Sequence, residues 1–149
     1  MSMQALSQCA QIRRIHGAEA GGQTTITGAN TIDARPFDSV CFVATLGAIT
    51  SGGTATLKAY GRKEHDTGSW VELAAAAAFT SADGADDKQL VLEVRRPSPW
   101  SELQVRLERA DEDIALESIV AICAAPQGRP ATIGDDVMDR TIVLGGAEA

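Results

Sequence analysis

Strand-length runs in which every second residue is apolar recur through the middle of this 149-residue chain. The run ELQVRLE is one example, and residues 54–63 show the same alternation. Period-two alternation between turns rich in Gly, Asp and Pro is typical of an antiparallel sheet with one solvent-exposed face. Strands are predicted at residues 39–46, 54–63, 70–73, 88–94, 102–108 and 114–124. Their close spacing predicts an all-β fold, an antiparallel β-sandwich or jelly roll.

Two segments are ambiguous between helix and strand. LAAAAAFT, residues 73–80, has high intrinsic helix propensity. Five alanines are too few to hold an isolated helix, because nucleation is costly, so we interpret this segment as extended or irregular. The last run, IALESIVAICA, is rich in β-branched residues, and this composition favours a strand.

The sequence divides into three zones. Residues 1–38 are punctuated by glycines and poor in core-forming residues, which predicts an extended N-terminal arm with short strands at residues 24–27 and 31–33. Residues 39–125 form the predicted sandwich body. Residues 126–149 begin with Pro126 and end with small residues, which predicts an extended C-terminal arm.

Charge and composition exclude several classes of function. The formal net charge is −7 and the chain has only three lysines, so binding to a phosphate backbone is not expected. No apolar run approaches the roughly 18 residues that span a bilayer, and no secretion-signal layout is present, so we expect no membrane partner. Three cysteines without CxxC spacing favour neither a disulfide framework nor a zinc site, and indicate a reducing compartment.

No constellation of residues points to catalysis. His16 and His65 stand far apart and lack metal-binding spacing, and no GxSxG or phosphate-binding glycine motif occurs. The segment DGADD lacks the order of carboxylates in a calcium loop. We therefore expect a protein that is not an enzyme and that needs no cofactor or metal.

Two clusters leave other interpretations open. Trp70 and Trp100 could stack on a sugar, although tryptophans at strand ends more often cap a sandwich core. The arginines around Pro97 could meet an acidic partner, but we expect them to pair with nearby glutamates. These arginines are Arg95, Arg96, Arg106 and Arg109, and the glutamates are Glu93, Glu102 and Glu108.

The two predicted arms carry apolar residues that they cannot bury alone. Such segments gain stability by lying across another chain, so we expect them to contact a partner. The predicted partner contacts are Ile12, Arg13, Arg14, Ile15, Ile133, Val137, Ile142, Val143 and Leu144.

The stretch from about Thr31 to Pro130 resembles a pattern in small virion proteins of tailed bacteriophages. The pattern begins with an Asp-x-x-x-Phe-Asp lead-in, here ending at Asp38, followed by an apolar strand and a Gly-rich turn. A Thr-x-Thr-Leu-Lys strand follows, here ending at Lys58, and then a turn that closes with Gly-Ser-Trp, here ending at Trp70.

The resemblance implies a capsid decoration, or cement, protein with a jelly-roll-like sandwich. It implies that the chain is made in the host cytoplasm, binds the outside of the phage capsid, and holds neighbouring major capsid proteins together without touching DNA. It also implies self-association, as a dimer or, preferentially, a trimer. The alternative is a carbohydrate- or receptor-binding β-sandwich module, such as part of a head fibre or a tail-associated adhesin.

Overall fold

The computed structural model describes residues 10–63, 68–80, 86–124 and 137–144, and within these ranges every regular element is a β-strand. The strands are β1 (Ala10–His16), β2 (Glu19–Gly22), β3 (Ile26–Thr27), β4 (Ile32–Asp33), β5 (Ser39–Ile49), β6 (Thr54–Arg62), β7 (Val71–Thr80), β8 (Gln89–Arg95), β9 (Glu102–Ala110), β10 (Ile114–Ala124) and β11 (Val137–Leu144). The prediction of an all-β chain is confirmed.

The strands form two sheets packed face to face. The first sheet has the order β1-β10-β5-β8-β11, with β2 also paired to β10. The second sheet has the order β3-β9-β6-β7, with β4 also paired to β9. The chain crosses between the two sheets several times, for example from β5 to β6 and from β8 to β9 to β10, as in a β-sandwich.

The N-terminal segment differs from the predicted extended arm over residues 10–38. Strand β1 pairs with β10 along its length, while β3 and β4 pair with β9. Ile15, Ile26 and Ile32 are all buried in the common core. Residues 10–38 therefore belong to the sandwich instead of lying before it, because β1 and β2 extend the first sheet and β3 and β4 extend the second. Strands β3 and β4 lie within the short strands predicted at residues 24–27 and 31–33, whereas β1 and β2 were not predicted.

The core lies between the sheets and follows the predicted alternation. In β6 and β9 the residues that point inwards are buried and those that point outwards are partly exposed. Burying these side chains stabilises the fold by about 1.5–3 kcal/mol each for the large aliphatic residues. The largest fully buried side chains are Phe42, Ile15, Ile32, Leu46, Leu57, Leu90, Leu92, Leu103, Leu107, Ile114, Leu116 and Ile119.

The alanine-rich segment, which the sequence analysis interpreted as extended or irregular, is part of strand β7. Strand β7 pairs with β6, with Ala76 opposite Lys58 and Ala78 opposite Thr56. Leu73 and Ala77 are buried. Tertiary pairing therefore overrides the helix propensity of the alanines.

The C-terminal segment contributes one strand instead of a wholly extended arm. Strand β11 pairs in parallel with β8, with Val137 opposite Gln89 and Leu144 opposite Arg95. It is the last strand of the first sheet and lies beside β7 of the second. Residues 126–136 and 145–149 of the predicted arm lie outside the described residues.

Candidate protein-binding surfaces

The outer face of the second sheet is charged, and its charges are paired with one another. Lys58 Nζ lies 3.0 Å from Glu72 Oε1 and 3.1 Å from Glu108 Oε1. The guanidinium of Arg106 stacks 3.9 Å above the ring of Tyr60, and the Tyr60 hydroxyl donates a hydrogen bond to Glu72. We call these five residues the charged face. Each of these groups therefore already has a polar or stacking partner within the chain.

The pKa shifts of the charged face follow from these contacts. Hydrogen bonds from Lys58 to Glu72 and Glu108 raise the pKa of the ammonium group, and the same Lys58 contact lowers the pKa of Glu72. Partial burial raises the pKa of Tyr60, and the nearby carboxylate of Glu72 adds to this effect. Each shift favours the charge state present at neutral pH.

The outer face of the first sheet is apolar, in contrast to the charged face. Strand register places Val120 of β10 opposite Val43 of β5, and Val43 opposite Val91 of β8. Two residues further along β10, Ile122 lies opposite Cys41 of β5. Their chain neighbours Phe42, Leu92 and Ala121 are fully buried and point into the core, so these five side chains point the other way. We call Cys41, Val43, Val91, Val120 and Ile122 the apolar face.

A second surface, along the open side of β1, adjoins the apolar face. Ile12 of β1 lies opposite Ile122 of β10. Its side chain is 61% exposed, and no other large apolar side chain among the described residues is as open to water. Arg13 and Arg14 follow it and are also exposed. We call Ile12, Arg13 and Arg14 the β1 edge.

The β1 edge borders a shallow cleft. Its volume is about 440 Å³, and Asn30, Thr31 and Ile32 line the side opposite the two arginines. Asn30 donates its backbone N–H to the Ile15 carbonyl at 3.0 Å and its side-chain amide to the Arg14 carbonyl, also at 3.0 Å. These bonds fix the far end of β1, while residues 10–13 are at the border of the sheet as the structure describes it.

The structure brings together only some of the predicted partner contacts. Ile12, Arg13 and Arg14 form one exposed surface, whereas Ile15 is fully buried in its own chain. The prediction of Ile15 as a partner contact is therefore wrong, because alternation along β1 puts Ile15 on the same side as Arg13, which lies opposite buried Ala121. Ile133 lies outside the described residues. Val137, Ile142, Val143 and Leu144 are on β11, whose backbone pairs with β8.

Sequence reasoning missed the apolar face, although the sequence contains its signal. Strands β5 and β10 include the uninterrupted apolar runs VCFVA and IVAICA, unlike the alternating β6 and β9. A continuous apolar run predicts a strand covered on both sides. These two strands are adjacent in the first sheet, which concentrates the apolar side chains in one patch.

Two charged side chains are buried, and each has partners that explain it structurally. Glu102, only 1% exposed, accepts two hydrogen bonds from Arg62, at 2.9 and 2.6 Å. Arg109, 6% exposed, donates to the carbonyls of Ala20, Thr24 and Ile114 at 2.7–2.9 Å and to the Thr24 hydroxyl at 3.0 Å. These contacts join strands and loops of the sandwich.

The two tryptophans offer little for sugar stacking. Trp100 is 3% exposed and contributes to one wall of a second shallow cleft, with Phe37, Arg96 and Pro99 nearby. Trp70 has one face covered by the Arg62 guanidinium, 4.5 Å from the ring centre. Stacking requires an open aromatic face, so the arrangement favours a role in the core for Trp100.

Within the described ranges, no three His, Cys, Asp or Glu side chains come together as a set that could hold a metal ion. The same residues include no helix of the length and hydropathy needed to cross a bilayer.

No known protein family matches the sequence, and no curated protein is significantly similar to it. Solved structures do resemble the fold. The VP2 subviral particle of infectious bursal disease virus matches with a TM-score of 0.47 and 14% identity, covering 81% of this chain and 34% of that one. PorU from Porphyromonas gingivalis matches with a TM-score of 0.45 and 11% identity, covering 77% of this chain and 12% of that one.

The carbohydrate-binding module TmCBM61, solved with beta-1,4-galactotriose, matches with a TM-score of 0.41 and 7% identity, covering 76% of this chain and 81% of that one. The structural neighbours thus include a viral capsid protein and a carbohydrate-binding module. The chain spans about a third of the length of the viral chain. At these identities the similarities concern the fold alone.

Proposed function

We propose that this chain is a structural virion protein that binds the outside of a tailed-phage capsid and holds neighbouring major capsid proteins together. The observation that carries the proposal is the β1 edge. In a chain of net charge −7, two adjacent exposed arginines stand beside the most exposed large apolar side chain described, on a strand at the border of its sheet. In this proposal the chain has no catalytic role and no cofactor.

The chemistry of the β1 edge fits a protein surface with acidic and apolar groups. A border strand can add a strand from another chain through backbone hydrogen bonds, while alternate side chains select the partner. Arg13 and Arg14 would pair with carboxylates, and Ile12 would fill a shallow apolar pocket. Repeated over a capsid lattice, many such contacts act together through multivalency.

Co-sedimentation with DNA-filled heads of the phage that encodes the chain tests the proposal. We expect the purified full chain to pellet with heads at hundreds of copies per particle, as a lattice-covering protein must. Arg13→Glu should weaken binding by about tenfold or more, because it places a negative charge against an acidic partner. A matched control is Lys88→Glu, which makes the same charge change in the turn before β8 and should bind like the wild type.

Absence of binding to heads would contradict the proposal. Equal loss of binding in Arg13→Glu and Lys88→Glu would also contradict the assignment of the β1 edge, because net charge alone would then account for the effect. A dozen copies or fewer per head would indicate a vertex or neck component and would contradict a lattice role.

A further inference from the structure

We propose that His16 is a pH-sensitive latch, which holds the loop of residues 28–31 against β1 when the imidazole is neutral and releases the loop when it is protonated. The loop joins β3 to β4 at a border of the second sheet, and β1 is a border of the first sheet. The latch therefore connects the borders of the two sheets along one side of the sandwich. The inference concerns the free chain and does not depend on capsid binding.

The imidazole of His16 is held through both of its ring nitrogens. The backbone N–H of Ala29 donates a hydrogen bond to Nδ1 at 3.1 Å, and Nε2 lies 2.9 Å from Glu19 Oε1. A backbone N–H can only donate, so Nδ1 must present a lone pair to Ala29. The ring proton is then on Nε2, which donates it to the carboxylate of Glu19. The two contacts together select the neutral tautomer with its proton on Nε2.

Protonation changes the Nδ1 side of the ring and leaves the Nε2 side in place. The Nδ1 lone pair takes a proton from water, and the resulting imidazolium has two N–H donors and no acceptor. The Nε2–H keeps its bond to Glu19, which becomes charge-assisted and therefore stronger. The new Nδ1–H points at the N–H of Ala29, and two donors cannot bond each other. Because Glu19 holds the ring, we expect the loop to move away from it.

The loop can move because it lies between two fixed ends. Gly28 is buried and donates its backbone N–H to the Val105 carbonyl at 2.9 Å. Ile32, at the other end, is 1% exposed and belongs to the core. Residues 29–31 between these ends are exposed, so water can accept the hydrogen bond that Ala29 loses. The release therefore needs no rearrangement of the core.

The latch also controls the clamp that fixes the far end of β1. Asn30 follows Ala29 directly, and its two hydrogen bonds to the carbonyls of Ile15 and Arg14 hold the loop on the strand. Asn30 also lines the shallow cleft beside the β1 edge. Release of Ala29 should loosen this clamp, so the width of the cleft becomes linked to the protonation of His16.

The charged groups around His16 come from three strands. Glu19 begins β2, the guanidinium of Arg14 on β1 folds over the glycine that follows His16, and Arg109 of β9 donates to the backbone of β2. Strand β10 places Ile119 opposite His16, and the loop has no titratable side chain. Arginines stay protonated, whereas imidazole is the side chain that ordinarily changes charge between about pH 5 and 8. Acidification across that range therefore acts on the latch.

Nitrogen-15 NMR of the full chain tests the tautomer and the release. At about pH 8, Nε2 of His16 should carry the ring proton and Nδ1 should carry none. As the pH falls to about 5, the amide resonance of Ala29 should move with the same midpoint as the His16 ring. Hydrogen exchange of this amide, corrected for its intrinsic pH dependence, should become about tenfold faster, as expected for the loss of one hydrogen bond.

Either of two results would overturn the latch. One is a neutral His16 that carries its proton on Nδ1, because Ala29 would then have no acceptor to lose. The other is an Ala29 amide whose resonance and exchange do not follow the titration of His16.

Two variants separate the latch from other sources of pH dependence. His16→Gln cannot be protonated, so its Ala29 amide should be insensitive to pH over the same range. Glu19→Gln is the matched control, since it keeps the imidazole, and its Ala29 amide should still follow the titration of His16. A pH response that persists in His16→Gln would assign the effect to another group and contradict the proposal. No heads are used, so failure of the latch and failure of capsid binding can be told apart.

Discussion

At the scale of single residues, buried polar groups hold the N-terminal strands against the sandwich. The guanidinium of Arg109 satisfies three backbone carbonyls and one hydroxyl without a carboxylate among these partners. Two of those carbonyls belong to Ala20 and Thr24, in the N-terminal segment. Arg109 therefore couples that segment to β9.

Replacing Arg109 should destabilise the fold strongly. Arg109→Ala leaves the buried Ile114 carbonyl oxygen without this donor, which costs about 1–3 kcal/mol of the free energy of unfolding. The carbonyls of Ala20 and Thr24 are only partly buried, and water can replace the lost donor there. Urea unfolding measures the effect. Arg95→Ala removes an exposed arginine and should change the free energy by no more than about 0.5 kcal/mol. An Arg109→Ala variant as stable as Arg95→Ala would contradict this role.

Gly61 allows β6 to pass close to a buried tryptophan. A Cβ atom at Gly61 would lie 2.6 Å from two ring atoms of Trp100, whose ring is almost fully buried and has little room to move. Gly61→Ala should therefore cost about 1–3 kcal/mol through overpacking. Gly21→Ala, where the nearest atom is the Asp113 Cβ at 3.7 Å, is the control in a strand. Similar melting temperatures for the two variants would contradict the prediction, because they would mean that the Trp100 ring moves to make room for the added methyl group.

At the scale of elements, the charged face gives the second sheet a pH-dependent contribution. The pKa of Glu72 is lowered in the folded state, so its contribution is present above the ordinary pKa and is lost as pH falls through the folded-state pKa. The pKa of Lys58 is raised, so its contribution is present below the ordinary pKa and is lost as pH rises through the folded-state value.

Glu72→Gln should remove the acid-sensitive part of this contribution. At pH 7 the variant should be less stable than the wild type by about 0.2–1 kcal/mol, a small value because the pair is about one-third exposed and is screened by water and salt. The difference should vanish below the folded-state pKa of Glu72. Urea unfolding across the acid range measures it, with Glu117→Gln, exposed on β10, as the control. A stability difference between the wild type and Glu72→Gln that persists unchanged in acid would contradict the predicted pH dependence.

The strands that could be predicted from the sequence are those with a clear pattern of apolar residues. The starts of β5, β6, β9 and β10 agree with the predicted strands. Burial on one face imposes the alternation of β6 and β9, while β5 and β10 were recognised as apolar runs between turns. Ion pairs could not be predicted from neighbours in sequence. Glu102 pairs with Arg62 and Glu108 with Lys58, instead of with the nearby arginines, because neighbours in a sheet come from adjacent strands.

The candidate site was predictable only in part, for the same physical reason. Ile12 and the two arginines after it were identified as partner contacts, and they lie together on the surface. Ile15 was misplaced, because the segment was taken as an unpaired arm, whereas β1 pairs with β10 and alternation along the strand turns Ile15 into the core. The apolar face could not be predicted, because it forms only where β5 and β10 are neighbours, and that pairing joins residues far apart in the sequence.

At the scale of the whole molecule, the β-sandwich requires its N-terminal strands. A fragment of residues 39–124 would lack β1, β3 and β4, together with the buried Ile15, Ile26 and Ile32. It would also expose a border of β10 and a side of the core. We expect this fragment to aggregate or to lack a cooperative thermal transition, whereas the full chain melts cooperatively. A cooperative transition in the fragment would restore the boundary at residue 38.

The central claim is that the chain acts through surfaces of its first sheet, and hydrogen–deuterium exchange of the full chain, free and bound to DNA-filled heads, tests it most directly. Backbone amides of residues 10–13 should exchange more slowly on heads, while those of β6 and β7 in the second sheet should keep their rates. Unchanged exchange at residues 10–13 on bound chains, or new protection confined to the charged face, would contradict the claim.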